Sequence, residues 1–218
     1  MNLQDELLWG IKRLRTSKFE GRLVEAQEQV VEAQAMQLVE FLSELKRWNR
    51  AYNLTAIEDP AQMVIRHILD SLSVAPWVQG RVLDVGTGAG LPGIPLAIMD
   101  SELDMTLLDS TNKKIRFLNH VTRKLKLQNI QTEHARVEEF SALAPFDVVV
   151  SRAFSSLADY AESTRHLLGP RSRLLAMKGR HPNEEISALP GWISVEATEK
   201  LAVPGLHEDR HLVIMSLT

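Results

Sequence analysis

The stretch Arg81-Val82-Leu83-Asp84-Val85-Gly86-Thr87-Gly88-Ala89-Gly90-Leu91-Pro92-Gly93 decides the fold. Val82, Leu83 and Val85 form the short apolar run that a central parallel strand needs. Gly86, Gly88 and Gly90 follow at alternate positions. Glycine permits positive φ and lets a ligand approach the backbone with no Cβ in the way. Pro92 stands where the next helix begins, a place where its missing N–H costs nothing. A strand, a glycine turn and a helix N-terminus together describe a nucleotide-type binding site.

Two glycine registers compete. A dinucleotide fingerprint can be laid on Gly88, Gly90 and Gly93, but its first glycine then falls beyond the strand end. The register Asp84-x-Gly86-x-Gly88-x-Gly90 keeps an acidic residue inside the strand end, as in the first motif of class I S-adenosylmethionine (SAM) methyltransferases. Such a loop wraps an amino acid and a sugar, not a pyrophosphate. A nucleoside-bearing ligand also calls for an acidic residue about 20 residues further on, ending the second strand, to accept from ribose hydroxyls. Asp109 closes the run Met105-Thr106-Leu107-Leu108 at that distance.

The 218-residue chain is 44% hydrophobic and 24% charged, ordinary values for a globular protein of one domain with an extension. No apolar run is long enough to cross a membrane. The N-terminus, with Asp5, Glu6 and Trp9, does not resemble a signal peptide. The chain has 0 cysteines, so disulfides, thiolate metal sites and cysteine nucleophiles are excluded. With them goes the cytosine-C5 methylation mechanism, which needs a thiolate. A cytoplasmic location is expected, without a metal, and as a monomer. The net charge of −3 gives no hint of nucleic acid, but the local charge does. Lys113, Lys114, Arg116, Arg123, Lys124 and Lys126 come with no acid among them, as do Arg165, Arg171, Arg173, Lys178 and Arg180. Clustered on one face, such charge is the footprint of a phosphate-bearing partner; spread over helices, it is solvated surface.

Residues 1–78 read as an all-helical N-terminal lobe, and residues 79–218 as the domain that binds the cofactor. Leu7, Leu8, Ile11 and Leu14 mark a short amphipathic helix that Gly21 breaks. From Glu28 to Tyr52, Val31, Ala35, Leu38, Leu42, Leu45 and Trp48 or Asn49 share one helical stripe. Asp59-Pro60 opens another helix as N-cap and first residue. Its apolar side is Met63, Ile65, Ile68, Leu69 and Leu72, and Arg66 and Asp70 stand at the i,i+4 spacing of an ion pair.

From Arg81 onward, strands alternate with helices. Strands are expected at 81–86, 104–109, 130–134, 146–151, 173–178, 192–201 and 211–217. Helices are expected at 92–100, 112–127, 157–168 and 182–189, with Gly169-Pro170 stopping the third. Repeated β-α units argue for a parallel sheet with helices on both faces. The last two strands are joined by a helix-free loop holding Pro204 and Gly205, so they are expected to be antiparallel neighbours. The result is an α/β, Rossmann-like, seven-stranded mixed sheet.

Ligands of such sheets sit beyond the carboxyl ends of the strands. There Asp109 would serve ribose; Val137 and Glu138 would meet adenine by packing and at the exocyclic amine. Asp84 would orient the glycine loop or meet the methionine ammonium. Ser151-Arg152-Ala153-Phe154 occupies the end of strand four. The Asn- or Asp-Pro-Pro-aromatic run of amino-group methyltransferases is missing, which disfavours an exocyclic amine substrate. Arg152 offers planar donors, and Phe154 offers a face for a base or for the core. A guanine N7 suits such a site, because its lone pair needs no general base; Arg152 and Phe154 would then position and not titrate.

Arg66-His67-Ile68-Leu69-Asp70-Ser71, the Asp84–Ala97 run, Leu107-Leu108-Asp109-Ser110, Arg136-Val137-Glu138-Glu139, Ser151-Arg152-Ala153-Phe154, Trp48-Asn49-x-x-Tyr52-Asn53-Leu54-Thr55 and Glu208-x-Arg210-His211-Leu212 together resemble the glucose-inhibited division protein B family. The resemblance covers nearly the whole chain. It implies SAM-dependent methylation of guanine N7 at position 527 of the 530 loop of 16S ribosomal RNA, on free rRNA or the small subunit. It also implies cofactor contacts at Gly86, Leu91, Val137, Glu138 and Arg152, beside Asp84, Gly88, Gly90 and Asp109. It sets Arg66, His67, Arg152, Lys178, Arg210 and His211 around one mouth, where they would hold RNA. Two alternatives stay open: a nicotinamide oxidoreductase and a non-catalytic SAM-binding ribosome-assembly module.

Overall fold

The computed structural model describes residues 2–18, 28–152, 154 and 156–218. Gly21 and Ala153 lie outside the described residues.

Helix α1 (Leu3–Lys18) and helix α2 (Glu28–Tyr52) come first. The stripe expected on α2 is the buried one, with Val31, Ala35, Leu38, Leu42 and Leu45 joined by Phe41. Asn49 is buried as well; its Oδ1 accepts from Thr55 N at 2.8 Å and ties down the turn after the helix. Asn53 leaves the helix with φ +50°, a left-handed conformation that Asn tolerates better than most residues.

Helix α3 (Pro60–Met63) starts as its sequence dictates: Asp59 Oδ1 accepts from Gln62 N at 2.9 Å. It passes into a π-helical stretch, Val64–Leu69, and then into α4 (Asp70–Leu72). Within this stretch Asp70 N–H reaches back to Ile65 O, one residue further than in an α-helix. The wider turn rotates everything after it. Val64 is buried where Ile65 was expected, and Arg66 and Asp70 no longer share a face. The i,i+4 pair expected of them does not form: Arg66 pairs with Glu208, and Asp70 with Arg152 and Arg210.

Seven strands follow: β1 (Arg81–Val85), β2 (Asp104–Asp109), β3 (Ile130–His134), β4 (Phe146–Ser151), β5 (Leu168–Lys178), β6 (Ile193–Lys200) and β7 (His211–Leu217). Their order in the sheet is β3-β2-β1-β4-β5-β7-β6. The first five strands are parallel, and β7 runs antiparallel to both β5 and β6. The expected antiparallel pair is present, with β7 inserted inside β6. Gly169-Pro170 lies within β5 and not at a helix end. Helix α7 (Leu157–Thr164) has already given way to a 3-10 turn, and an irregularity between Phe146 and Val148 lets the strand accommodate proline.

Helices α5 (Gly93–Met99) and α6 (Asn112–Lys124) cover one face of the sheet, while α7 and α8 (Asn183–Ser187) pack on the other side. The helices before β1 lie against α5 and α6, so one apolar cluster reaches from Leu7 on α1 to Ile214 on β7. Phe41 and Trp48 of α2 meet Phe117 of α6 at ring centroid distances of 6.3 and 5.7 Å. Aromatic contacts of this kind contribute about 0.5–1.5 kcal/mol beyond the area they bury. Beside them buried Glu44 accepts from Lys124 Nζ at 2.6 Å and contacts His120 Nε2 at 2.7 Å. Lys124 thus serves to join two helices. Among the described residues, no helix is long and apolar enough to cross a membrane.

Candidate functional site

The chain reverses direction across the sheet between β1 and β4, the switch point where α/β sheets bind ligands. The glycine loop leaves β1 there. Gly86 takes φ +67°, and both Gly86 N and Thr87 N donate to Leu108 O, at 2.9 and 3.1 Å. Asp84 lies fully buried below the loop. Its Oδ2 accepts from Thr87 Oγ1 at 2.7 Å and from Gly93 N at 2.8 Å, so one carboxylate oxygen holds both ends of the turn. Its Oδ1 is buried without a hydrogen-bond partner among the described residues. Burial pushes this carboxyl up to about 6, against the opposing hydrogen bonds from Thr87 and Gly93.

Asp109, at the end of β2, faces the same loop. Its Oδ2 accepts from Gly88 N at 3.0 Å and Lys114 Nζ at 3.1 Å, and its Oδ1 accepts from Thr111 N at 2.9 Å. A carboxylate oxygen can accept two bonds, so Oδ1 keeps capacity for one more donor. Gly90 is a packing glycine, since a Cβ there would strike Ile94 and stand 3.0 Å from Leu118. Leu91 is buried behind the loop.

A cavity of about 330 Å³ opens above these strand ends. Gly86, Asp109, Val137, Glu138 and Phe154 line it, as their sequence positions suggested. Ser110 and Arg136, at the same strand ends, line it too, as do Thr111 and Lys114, which the sequence reading missed. For Thr111 the available signal was position, two residues past the end of β2; Lys114, inside the first turn of α6, carried none. Val137 is buried and Glu138 exposed in a short 3-10 turn (Val137–Glu139). The Phe154 ring packs on Tyr160 at 4.8 Å while bordering the cavity, so it serves both core and site.

Arg152 does not line this cavity. Its guanidinium turns toward the π-helical stretch, 3.4 Å from Asp70 Oδ2, and donates to Arg66 O at 3.3 Å. Asp70 is buried and also accepts from Arg210 Nε at 3.1 Å. The basic residues expected around one mouth differ in what holds them. Arg66, Arg152 and Arg210 form one group around Asp70 and Glu208. Lys178 has other partners, donating to Glu185 Oε2 at 2.7 Å and to Phe154 O at 3.2 Å. His211, opposite Lys178 in the β5–β7 register, is buried with Nδ1 3.4 Å from Gly179 O.

His67 faces inward and is not at the mouth. It is 5% exposed, and its Nε2 lies 2.8 Å from Thr55 Oγ1. Burial, reinforced by the nearby Arg152 charge, lowers it to about 4, so it is neutral at ordinary pH. Apolar neighbours on the wide π turn draw it into the core.

This strand order, with a glycine turn at the switch point, defines a Rossmann-like methyltransferase fold. Solved structures agree: the glycopeptide N-methyltransferase MtfA complexed with SAM aligns at TM-score 0.60 and 16% identity, over 70% of this chain and 87% of that one. TrmN from Thermus thermophilus aligns at TM-score 0.54 and 18% identity, over 68% of this chain and 47% of that one. The chain belongs to the rRNA small subunit methyltransferase G family, whose model matches residues 34–213. Ribosomal RNA small subunit methyltransferase G of Pseudomonas aeruginosa (strain UCBPP-PA14) is 55% identical over 184 residues, 84% of this chain and 86% of that protein. Its counterpart in Salmonella arizonae is 50% identical over 200 residues, 91% of this chain and 97% of that protein.

Proposed function

We propose that this protein transfers a methyl group from SAM to N7 of a guanine in 16S ribosomal RNA, at position 527 in the 530 loop. The observation that carries the proposal is the cavity at the ends of β1, β2, β3 and β4, set beside an arginine group, in a chain of this family.

The residues present fit the cofactor. Its volume of about 330 Å³ lies within the usual range for small-molecule sites. The glycine loop offers backbone without side chains to the amino-acid end, beside Asp84. Asp109 Oδ1 has a lone pair for a ribose hydroxyl, Val137 an apolar face for adenine, and Glu138 an acceptor for its amine. Gly88, Gly90 and Leu91 hold the loop from beside and behind. SAM supplies an electrophilic methyl group carried on a sulfonium.

The chain's own residues have a limited task. Guanine N7 presents its lone pair in the ring plane and carries no proton, so no general base is required. Catalysis is then mostly positioning, which can supply a large share of a rate enhancement. Phe154 offers a stacking face at the cavity rim. Arg152, held by Asp70, offers a planar guanidinium on the RNA side. Arg66 and Arg210 bring positive charge to the phosphates, with Lys178 and His211 behind the loop that carries Phe154.

Labelled methyl transfer to small-subunit particles from a strain lacking this gene, followed by mapping of the modified nucleotide, tests this. A single 7-methylguanosine in the 530 loop is expected. Label elsewhere refutes the assigned position, and SAM binding without transfer to particles or naked rRNA refutes catalysis.

A further inference from the structure

Arg66 and Arg210 are oriented in the same way from different parts of the chain. Gln62 Oε1 accepts from Arg66 Nε at 3.0 Å, and buried Asp70 accepts from Arg210 Nε at 3.1 Å. With each Nε held from behind, both terminal nitrogens of Arg66 and the Nη2 of Arg210 face one carboxylate, while Arg210 Nη1 donates to Asp209 O at 3.0 Å. Arg66 Nη1 and Nη2 donate to the two oxygens of Glu208 at 2.8 and 2.6 Å, and Arg210 Nη2 lies 3.5 Å from Glu208 Oε2. Asp70 is also 3.4 Å from Arg152, so this cluster stands one carboxylate away from Arg152.

The two carboxylates differ in what holds them. Asp70 is 2% exposed, whereas the Glu208 side chain is 51% exposed on the loop before β7. An exposed ion pair contributes little to stability, so Glu208 can be exchanged at small cost. The bidentate fork that Arg66 makes with it is the geometry by which arginine also grips phosphate. The hydrogen bonds from Arg66 hold the Glu208 carboxyl below its ordinary range, as expected for an anion seated in an anion site.

We propose that the Arg66–Arg210 pair is a preorganised site for one RNA backbone phosphate, and that Glu208 is its built-in stand-in, displaced when RNA binds. The inference rests on the ribosomal RNA reading above and adds a residue that opposes binding. Phosphate contacts carry no sequence information, so the site sets register on the RNA and does not select the target base. The cost of displacing Glu208 falls equally on every RNA and lowers casual association.

Glu208→Gln keeps the shape of the side chain and removes its charge. Fluorescence anisotropy with a labelled RNA hairpin of mixed sequence is expected to show several-fold tighter binding by this variant. The dependence of log K on log salt should steepen by up to about 0.7–0.9, the scale of one charge, because no freed carboxylate takes up a cation as RNA binds. SAM affinity and melting temperature should not move. Arg66→Ala in the Glu208→Gln background is expected to abolish the gain. Unchanged or weaker RNA binding by a folded Glu208→Gln protein overturns the proposal, because Glu208 is then a brace. Should that variant melt early, Arg66→Lys decides the matter: it keeps the charge and loses the fork, so RNA affinity must fall several-fold or the site is not a phosphate site. If neither wild type nor any variant binds RNA while SAM still binds, the ribosomal RNA reading itself has failed, an outcome distinct from a wrong role for Glu208.

Discussion

Two buried aspartates organise two sides of the site in different ways. Asp84 lies under the glycine loop, is hydrogen-bonded by dipoles alone, a hydroxyl and a backbone N–H, and keeps one oxygen unfilled; the charges of Arg152 and Asp109 act on it only as lesser, opposing influences. Asp70 lies under the arginine group and meets two guanidinium ions. The first arrangement keeps a carboxylate only partly compensated, next to the place where a ligand enters. The second uses a carboxylate as a fixed hub that aims cations outward. Dipoles build a pocket here, and ion pairs build an approach.

The comparison breaks most visibly at Asp70. Removing one partner of a buried pair costs about 3–5 kcal/mol. The low end applies because the side chains of Arg152 and Arg210 are 26% and 20% exposed and can regain water. Asp70→Ala should lower the melting temperature by roughly 6–12 °C, at about 2–4 °C per kcal/mol for a chain of this size. A drop below about 2 °C would show that the hub is not one.

Acid titration sharpens the contrast next. The folded-state pKa of Asp84, about 6, stands above its ordinary 3.8. Its stabilising contribution is therefore complete below 3.8 and is lost as pH rises through about 6, an effect on the order of 3 kcal/mol. His67 tilts the other way: lowered from 6.5 to about 4, it contributes stability above 6.5 that is lost as pH falls through about 4, again on the order of 3 kcal/mol. The two slopes oppose each other in wild type. Melting curves from pH 4 to 7 should rise more steeply with pH in Asp84→Asn and fall with pH in His67→Gln; parallel curves would refute both assignments.

A smaller effect is expected at Gly93. A Cβ there meets Leu107 and stands 2.9 Å from Asp84 Oδ2, so Gly93→Ala should cost about 1–3 kcal/mol by overpacking and weaken SAM binding together with stability. Calorimetry that finds stability lost with SAM affinity intact would detach the loop from the cofactor. The smallest effect belongs to the exposed Lys200–Asp209 pair, 2.7 Å apart, where Lys200→Ala should leave the melting temperature unchanged.

Much of the sheet was legible because its signals are local. Val82, Leu83 and Val85, and Val148 to Val150, are short β-branched or apolar runs suited to a buried strand, and the loop with Pro204 and Gly205 marks the antiparallel return. Gly169-Pro170 misled because the same dipeptide ends a helix or enters an irregular strand, and a neighbouring strand decides which. The π-helical stretch left no trace in a pattern read at 3.6 residues per turn. That one wider turn accounts for the absent Arg66–Asp70 pair and for Val64 replacing Ile65 in the core. At the site, residues fixed by strand ends were legible: Gly86, Asp109, Val137 and Glu138. Lys114 was not, because its role depends on how the first turn of α6 folds over Asp109. Glu208 was not either, since its partners lie 142 and 2 residues away and only the fold unites them.

The insertion of β7 between β5 and β6 also bears on how the molecule is made. Of the seven strands it is the last to be synthesised, yet it is not at an edge. During translation β6 emerges with no partner in the sheet, and the apolar flank of β5 stays open, the kind of unpaired edge that invites association between nascent chains. Arrival of residues 211–217 closes both gaps at once. A ribosome that stalls before that point leaves a chain lacking two strands of its sheet for the want of one.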